Sequence, residues 1–256
     1  MDHDIYSLYE ACVQSPPEMT ALLRAIHGNN PKILAEDFSG TGALCRYWAE
    51  HVDGGRAIAV DRNPEPLSRL QGASGVEIVQ ADVMQANAKA DCLFAGNFSI
   101  GYHHSRPALL AYLKHVRERL NPGGTFVCDT YGGETAYTIG RVIREVPLPG
   151  SQICKYQWEQ RYADPLTGRV TDVLHFRVFE GDEVIADFPD AFIYEWRLWS
   201  VPELRDAMAE SGFHMSDVYA ELPDAVDDQG NVYAEPITDP EWIGDNFIVC
   251  VAGRLG

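Results

Sequence analysis

Basic residues are scarce in this chain. Its 256 residues include 20 Lys and Arg against 38 Asp and Glu, a formal net charge of −18. With no basic stripe to displace counterions from a phosphate backbone, a nucleic acid is strongly disfavoured as partner, and an anionic membrane for the same reason. Solubility is the plain consequence of such acidity. Long apolar runs are missing too: no stretch of 18 apolar residues occurs, so no transmembrane helix is expected. Met1-Asp2-His3-Asp4 offers neither a basic region nor an apolar core, so no secretory signal is expected and the cytoplasm is the expected location. The cysteines at 12, 45, 92, 128, 154 and 250 form no Cys-x-x-Cys pair, which fits a reducing compartment. Cys92, Cys128 and Cys250 lie inside apolar strand patterns and are expected in the core. No metal is expected, because His103-His104 has no third ligand in view and Asp2, His3 and Asp4 are terminal.

Two phosphate-binding signatures are absent as well. Gly-x-Gly-x-x-Gly starting at Gly40 finds Gly42 but then Cys45, and no Walker lysine follows. What stands there instead is an apolar run, Ile33-Leu34-Ala35, entering Glu36-Asp37-Phe38 and the small-residue turn Ser39-Gly40-Thr41-Gly42. A helix pattern follows through Ala43, Leu44, Tyr47 and Trp48. Glycine admits backbone N–H groups close to a ligand because no Cβ intervenes. A second apolar run, Ala57 to Val60, ends on Asp61, and a carboxylate there can accept two ribose hydroxyls. An acid beside the glycines repels phosphate but suits a cofactor with a cationic amino-acid part. S-adenosylmethionine, with its ammonium and sulfonium, is such a cofactor.

These segments resemble the Rossmann-like (class I) S-adenosylmethionine-dependent methyltransferases. Glu36 to Gly42 is similar to their first motif, with Phe38 where the first glycine usually stands, and Asp61 to the ribose-binding acid of the second. Val76 to Val83 is similar to the third motif, in which an acid, here Asp82, meets the adenine amino group. Asp91 to Phe98 resembles the fourth strand, and Leu120 to Val127, with Asn121-Pro122-Gly123-Gly124, the turn into the fifth. The resemblance spans roughly residues 30 to 130. It implies an α/β fold with a mostly parallel sheet and an antiparallel last strand. It also implies a cofactor site of Tyr9, Glu36, Phe38, Ser39, Gly40, Gly42, Asp61, Arg62, Asp82, Val83, Asn97 and Phe98.

The organisation along the chain agrees. Strands near 33–37, 57–61, 76–80 and 91–96 alternate with helices near 42–51, 64–71 and 107–120, which predicts a parallel sheet. Residues 1–30 are expected as an N-terminal helical arm or lid, broken at Pro16-Pro17, before a methyltransferase domain over 31–256. Within that domain an antiparallel β insertion is expected at about 150–197, from strands at 152–161, 169–180 and 183–197. A helix capped by Ser200, with Glu203 completing a capping box, ends at Gly212. Residues 223–245 are expected to be a long loop, and Asn246 to Gly253 the last strand.

The second half resembles the small-molecule N-methyltransferases of the amino-sugar and glycine type. Asn97-Phe98-Ser99-Ile100-Gly101-Tyr102, Glu203-Leu204 and Gly212-Phe213 carry that likeness. The Asp/Asn-Pro-Pro-Tyr motif of DNA and amide methylases is absent after the fourth strand, where Phe98 follows Asn97. A small-molecule acceptor is therefore expected, with an amine favoured. A cofactor-binding protein without turnover and an enzyme using the same cofactor for other chemistry stay open. Tyr102, His103 and His104 fall in the loop after the fourth strand as candidate catalytic residues. Adjacent side chains diverge, so at most one histidine faces a substrate, and either one fits equally a solvated loop. Tyr6 and Tyr9 divide between packing and covering the sulfonium. Tyr131, Arg197 and Trp199 are the expected acceptor contacts, whereas Trp158 and Tyr194 fit a sheet core better. The insertion's hairpins offer sheet edges through which two copies could pair as a homodimer.

Overall fold

The computed structural model describes residues 3–28, 30–220, 225–227, 229 and 231–256. Two compact units divide them. The larger comprises Ser15–Ala136 and Trp199–Gly256; the smaller comprises residues 3–14 and Tyr137–Leu198.

The larger unit is built on β1 (Ile33–Asp37), β2 (Arg56–Asp61), β3 (Val76–Gln80), β4 (Ala90–Ala95), β5 (Leu120–Gly133), β10 (Met215–Ala220) and β13 (Asn246–Arg254). They hydrogen-bond in the order β10-β13-β5-β4-β1-β2-β3. The β3-β2-β1-β4-β5 set is parallel, and β13 runs against both β5 and β10. Alternate residues of the central strands serve opposite faces of the sheet. Ala35, Val60, Leu93, Phe126 and Val251 pack with α5 (Arg106–Arg119) and α6 (Val201–Glu210) on one face. Leu34, Ala59, Cys92, Val127 and Cys250 pack with α2 (Pro16–His27) and α3 (Ala43–His51) on the other. Cys92, Cys128 and Cys250 are fully buried, as their strand patterns predict. The expected capping box is formed: Ser200 Oγ accepts from Glu203 N, and Glu203 Oε2 accepts from Ser200 N at 3.0 Å.

Differences from the sequence reading have local causes. The expected helix at 64–71 is a single turn, Pro64–Leu67, followed by a 3₁₀ turn, Ser68–Leu70. Asn121 to Gly124 forms no separate turn but an irregularity inside β5, where the pairing with β4 jumps from Ala90↔Leu120 to Cys92↔Thr125. The stretch 223–245 is not all loop. Short strands at Ala225–Val226 and Val232–Tyr233 pair across a turn, and the Asp227 carboxylate accepts from Gln229 N, Asn231 N, Asn231 Nδ2 and Tyr233 OH. Positions 223, 224, 228 and 230 of that loop, and Asp2, lie outside the described residues.

The smaller unit is a four-stranded antiparallel sheet of β6 (Gly140–Leu148), β7 (Gln152–Asp164), β8 (Arg169–Glu180) and β9 (Glu183–Arg197) in sequential order. The insertion thus starts at Gly140, about one strand earlier than expected. β6 gives no alternation because most of its residues are exposed on both faces, as befits an edge. One face of this sheet is apolar: Cys154, Tyr156, Leu174, Phe176 and Val178 pack with Leu8 and Cys12 of α1 (Ile5–Val13). The opposite face is laced with ion pairs, among them Arg177–Asp187 and Lys155–Glu145. The arm expected over 1–30 is therefore split, α1 belonging to this unit and α2 to the larger one.

Candidate active site

The turn after β1 has an unusual backbone. Phe38, Gly40 and Gly42 all have positive φ, at 58°, 54° and 64°. A side chain costs energy in that region, and at Gly42 a Cβ would sit 2.5 Å from Leu70 Cδ1. Gly40 differs: nothing lies within 4 Å of where its Cβ would be. The turn is held by Ser39 N donating to Val60 O at 3.0 Å and Gly42 N to Ser39 O at 2.9 Å. Asp61, at the end of β2, accepts from Gly40 N through Oδ2 at 2.9 Å and from Asn63 N through Oδ1 at 2.8 Å. Ser39 Oγ and Thr41 Oγ1 are buried without a hydrogen-bond partner among the described residues.

Two acids precede the turn and point to opposite faces. Glu36 is 4% exposed and accepts from Cys45 Sγ of α3 at 3.1 Å. Burial pushes its carboxyl up to about 7, against the pull of the Cys45 hydrogen bonds. Asp37 faces α5, where the Arg119 guanidinium and the Tyr112 hydroxyl donate to it.

The loop after β4 is pinned from β5. Asn97 and Phe98 have φ of 53° and 60°, and their N–H groups both donate to the Asp129 carboxylate at 2.7 Å. Phe98 meets the buried Tyr131 edge-on at 5.0 Å. A 3₁₀ turn, Ser99–Tyr102, leads on to His103. The His103 ring stacks on Tyr112 at 4.3 Å and lies 6.1 Å from the Phe38 ring, while Tyr102 lies 5.5 Å from Phe38. His103 Nε2 is buried with no partner among the described residues. Burial drives this imidazole down to about 4, Asp82 opposing and His104 adding to the effect, so it is neutral at pH 7.

The turn, Asp61, Asn97, Phe98, Tyr102, His103 and Tyr131 thus share the carboxyl-end rim of the parallel sheet, where open α/β sheets bind ligands. Val83 is buried beside this rim, and Asp82 is exposed and accepts from Met84 N at 2.9 Å, capping the short turn that Val83 begins. Arg62 and His104 are exposed. Trp199, expected at the acceptor, is 1% exposed in the core, its indole N–H donating to His103 O and its carbonyl accepting from Thr130 Oγ1. Tyr9 and Arg197 belong to the smaller unit. There Tyr9 packs on Phe192 at 5.2 Å, and Arg197 runs beside Gly168 in its own hairpin. Tyr6 also packs on Phe192, at 5.8 Å.

Asp37, Cys45, Tyr112 and Asp129 escaped the sequence reading. For Asp129 a signal existed: like Asp37 and Asp61, it follows a run of buried strand residues. Glu159, His175 and Asp190 in the smaller unit have ligand atoms close enough for a metal. Arg161 donates to both carboxylates and Arg141 to Glu159. His175 Nδ1 accepts from Asp190 N, and its Nε2 lies 2.9 Å from Glu159 Oε2. The two carboxylates are thus held in an ion-pair network with Arg141 and Arg161.

The strand order with its single reversed strand, and the acid-flanked glycine turn, define a Rossmann-like methyltransferase fold. Residues 38–124 match the family described as methyltransferase domain. The chain therefore has the fold of the class I methyltransferases, a class whose methyl donor is S-adenosylmethionine, and residues 38–124 resemble a methyltransferase domain. No curated protein matches the sequence. Among solved structures, the chain is similar to DesVI of Streptomyces venezuelae, with a TM-score of 0.70 at 16% identity over 100% of both chains. It is similar to the sugar N-methyltransferase KedS8 of Streptoalloteichus sp., at 0.67 and 15% over 100% of this chain and 94% of that one. CalS10, an amino pentose methyltransferase from Micromonospora echinaspora, gives 0.67 and 14% over 99% and 98%.

Proposed function

We propose that this chain transfers the methyl group of S-adenosylmethionine to a nitrogen of a small-molecule acceptor. The supporting observation is that the sugar N-methyltransferase KedS8 and the amino pentose methyltransferase CalS10 align with essentially the whole chain, including the residues of the four-stranded sheet. The residues of the rim fit the cofactor. Gly40 leaves open space, Ser39 and Thr41 offer buried hydroxyls without partners among the described residues, and the Asp61 carboxylate lies against the turn.

When bound, S-adenosylmethionine supplies an activated methyl group on a sulfonium. In this reading Asp61 exchanges its backbone partners for the ribose hydroxyls, Asp82 meets the adenine amino group, and Glu36 faces the ammonium. Asn97 and Phe98 line the rim opposite. His103 orients the acceptor by accepting a hydrogen bond from its N–H. A base whose conjugate acid titrates at about 4 does not take a proton from an alkylammonium, so the acceptor enters as the free amine. Positioning then carries the rate.

The test incubates the purified chain with methyl-tritiated S-adenosylmethionine and a panel of amino sugars and small amines beside matched alcohols and thiols. Label in an N-methyl product supports the proposal. Label in alcohols or thiols alone overturns the choice of nitrogen, and cofactor binding without turnover on any acceptor overturns catalysis.

A further inference from the structure

Two cysteines far apart in sequence come together in the smaller unit. Cys12, in the last turn of α1, is 9% exposed, and Cys154, on β7, is fully buried. Both belong to the apolar cluster between α1 and the sheet, and each thiol shifts the other, Cys12 upward and Cys154 downward. Cys45, Cys92 and Cys128 have oxygen neighbours instead, in Glu36, Thr125 and the Val251 carbonyl. We propose that Cys12 and Cys154 are an oxidisable dithiol that closes to an intrachain disulfide, stapling α1 to β7.

Access comes through α1. A nine-residue helix is marginal by itself and stays folded only through its apolar contacts, so transient opening exposes both sulfurs. The neighbouring Cys12 thiol lowers that of Cys154, partly against burial, and is itself raised. Cys154 is therefore the first nucleophile. With a small disulfide such as oxidised glutathione as oxidant, the Cys154 thiolate attacks one sulfur and expels one glutathione thiolate, leaving a mixed disulfide. The Cys12 thiol then loses its proton and attacks the Cys154 sulfur, expelling the second glutathione. Two protein thiols are oxidised and one glutathione disulfide is reduced to two thiols.

The experiment treats the full chain with oxidised glutathione, blocks remaining thiols with an alkylating agent, and maps non-reduced peptides by mass spectrometry. The expected result is a Cys12–Cys154 cross-linked peptide, with Cys45, Cys92, Cys128 and Cys250 alkylated once the chain is denatured. In Cys12→Ser, Cys154 should accumulate as the glutathione adduct. A wild-type chain in which both cysteines stay reduced overturns the proposal. So does one in which Cys154 stops at the glutathione adduct, or in which the cross-link joins other cysteines. The wild-type map decides these outcomes even if the serine variant folds poorly.

Discussion

Asp37 and Arg119 meet as a two-pronged ion pair inside the protein, Nη1 to Oδ2 at 2.8 Å and Nη2 to Oδ1 at 2.9 Å, with both side chains almost wholly buried. The pair ties the end of β1, one residue before the glycine turn, to the last turn of α5. Removing one member leaves a buried charge, which costs about 3–5 kcal/mol, whereas replacing both by apolar groups of similar size is often neutral. Arg119→Leu should lower unfolding stability by that amount in urea denaturation. The double variant Asp37→Leu with Arg119→Leu should recover part of it. A single variant as stable as the parent would show the pair to be energetically idle.

Asp61 serves the turn before any cofactor arrives, through Gly40 N and Asn63 N. If it also accepts the ribose hydroxyls, Asp61→Ala loses charge-assisted bonds worth about 1.5–3 kcal/mol, or roughly ten- to a hundredfold in affinity. Calorimetric titration with S-adenosylhomocysteine measures this, and an unchanged dissociation constant would move the ribose elsewhere.

Glu36 makes stability and binding respond to pH in opposite directions. Its carboxyl is raised from 4.5 to about 7 in the folded chain. Between those values the folded state holds a proton that the unfolded state has lost. The contribution is full below pH 4.5 and disappears as pH rises through 7, a swing of about 3 kcal/mol. The melting temperature should fall across this window, and Glu36→Gln should flatten the fall. A cofactor ammonium favours the carboxylate, so S-adenosylhomocysteine should bind more tightly as pH rises from 6 to 8, with proton release near neutrality. A pH-independent affinity in the parent would separate Glu36 from the ammonium.

His103 acts with the reverse sign. Its imidazole is depressed from 6.5 to about 4, so stability present above pH 6.5 is lost as pH falls toward 4. His103→Phe should resist acid better than the parent. It should also raise KM for an amine acceptor more than His103→Asn, which keeps a hydrogen-bonding group. Equal KM values in the two variants would remove His103 from the acceptor site.

Asp129 holds two backbone N–H groups of a loop whose residues carry positive φ. Asp129→Ala leaves those donors unsatisfied, at about 1–3 kcal/mol of stability. S-adenosylhomocysteine binding should weaken along with it, because Asn97 and Phe98 lose their pose. Hydrogen exchange at the Phe98 amide reports the loss, and unchanged protection would show that the carboxylate is dispensable.

The sheet of the larger unit was legible because its central strands are buried on both faces. Ile33–Asp37 and Arg56–Asp61 fall within a residue of where the apolar runs predict. β6 and β10 were not legible, since few of their residues are buried and neither shows a clean two-residue alternation. Glu36, Asp61 and the glycines announced themselves by local pattern. Asp37 and Asp129 also end strand runs, but the task of each carboxylate is set by a partner far along the chain: Arg119 for one, the Asn97–Phe98 backbone for the other. The burial of Trp199 was not legible, because an aromatic beside a candidate pocket and an aromatic in the core look alike in one dimension.

The smaller unit draws its helix and its sheet from opposite sides of a long intervening stretch, and translation imposes an order on their meeting. α1 is synthesised well before β7 and β8, the strands that cover Leu8 and Cys12. Until those strands emerge, the helix has nothing to fold against and shows its apolar side to solvent or to a chaperone. The larger unit's first parallel strands can pair in that interval. The smaller unit closes late, across a long sequence separation that slows folding. A ribosome stalled between residues 137 and 198 would therefore hold a nascent chain with a nearly complete parallel core and an unsheltered helix ahead of it.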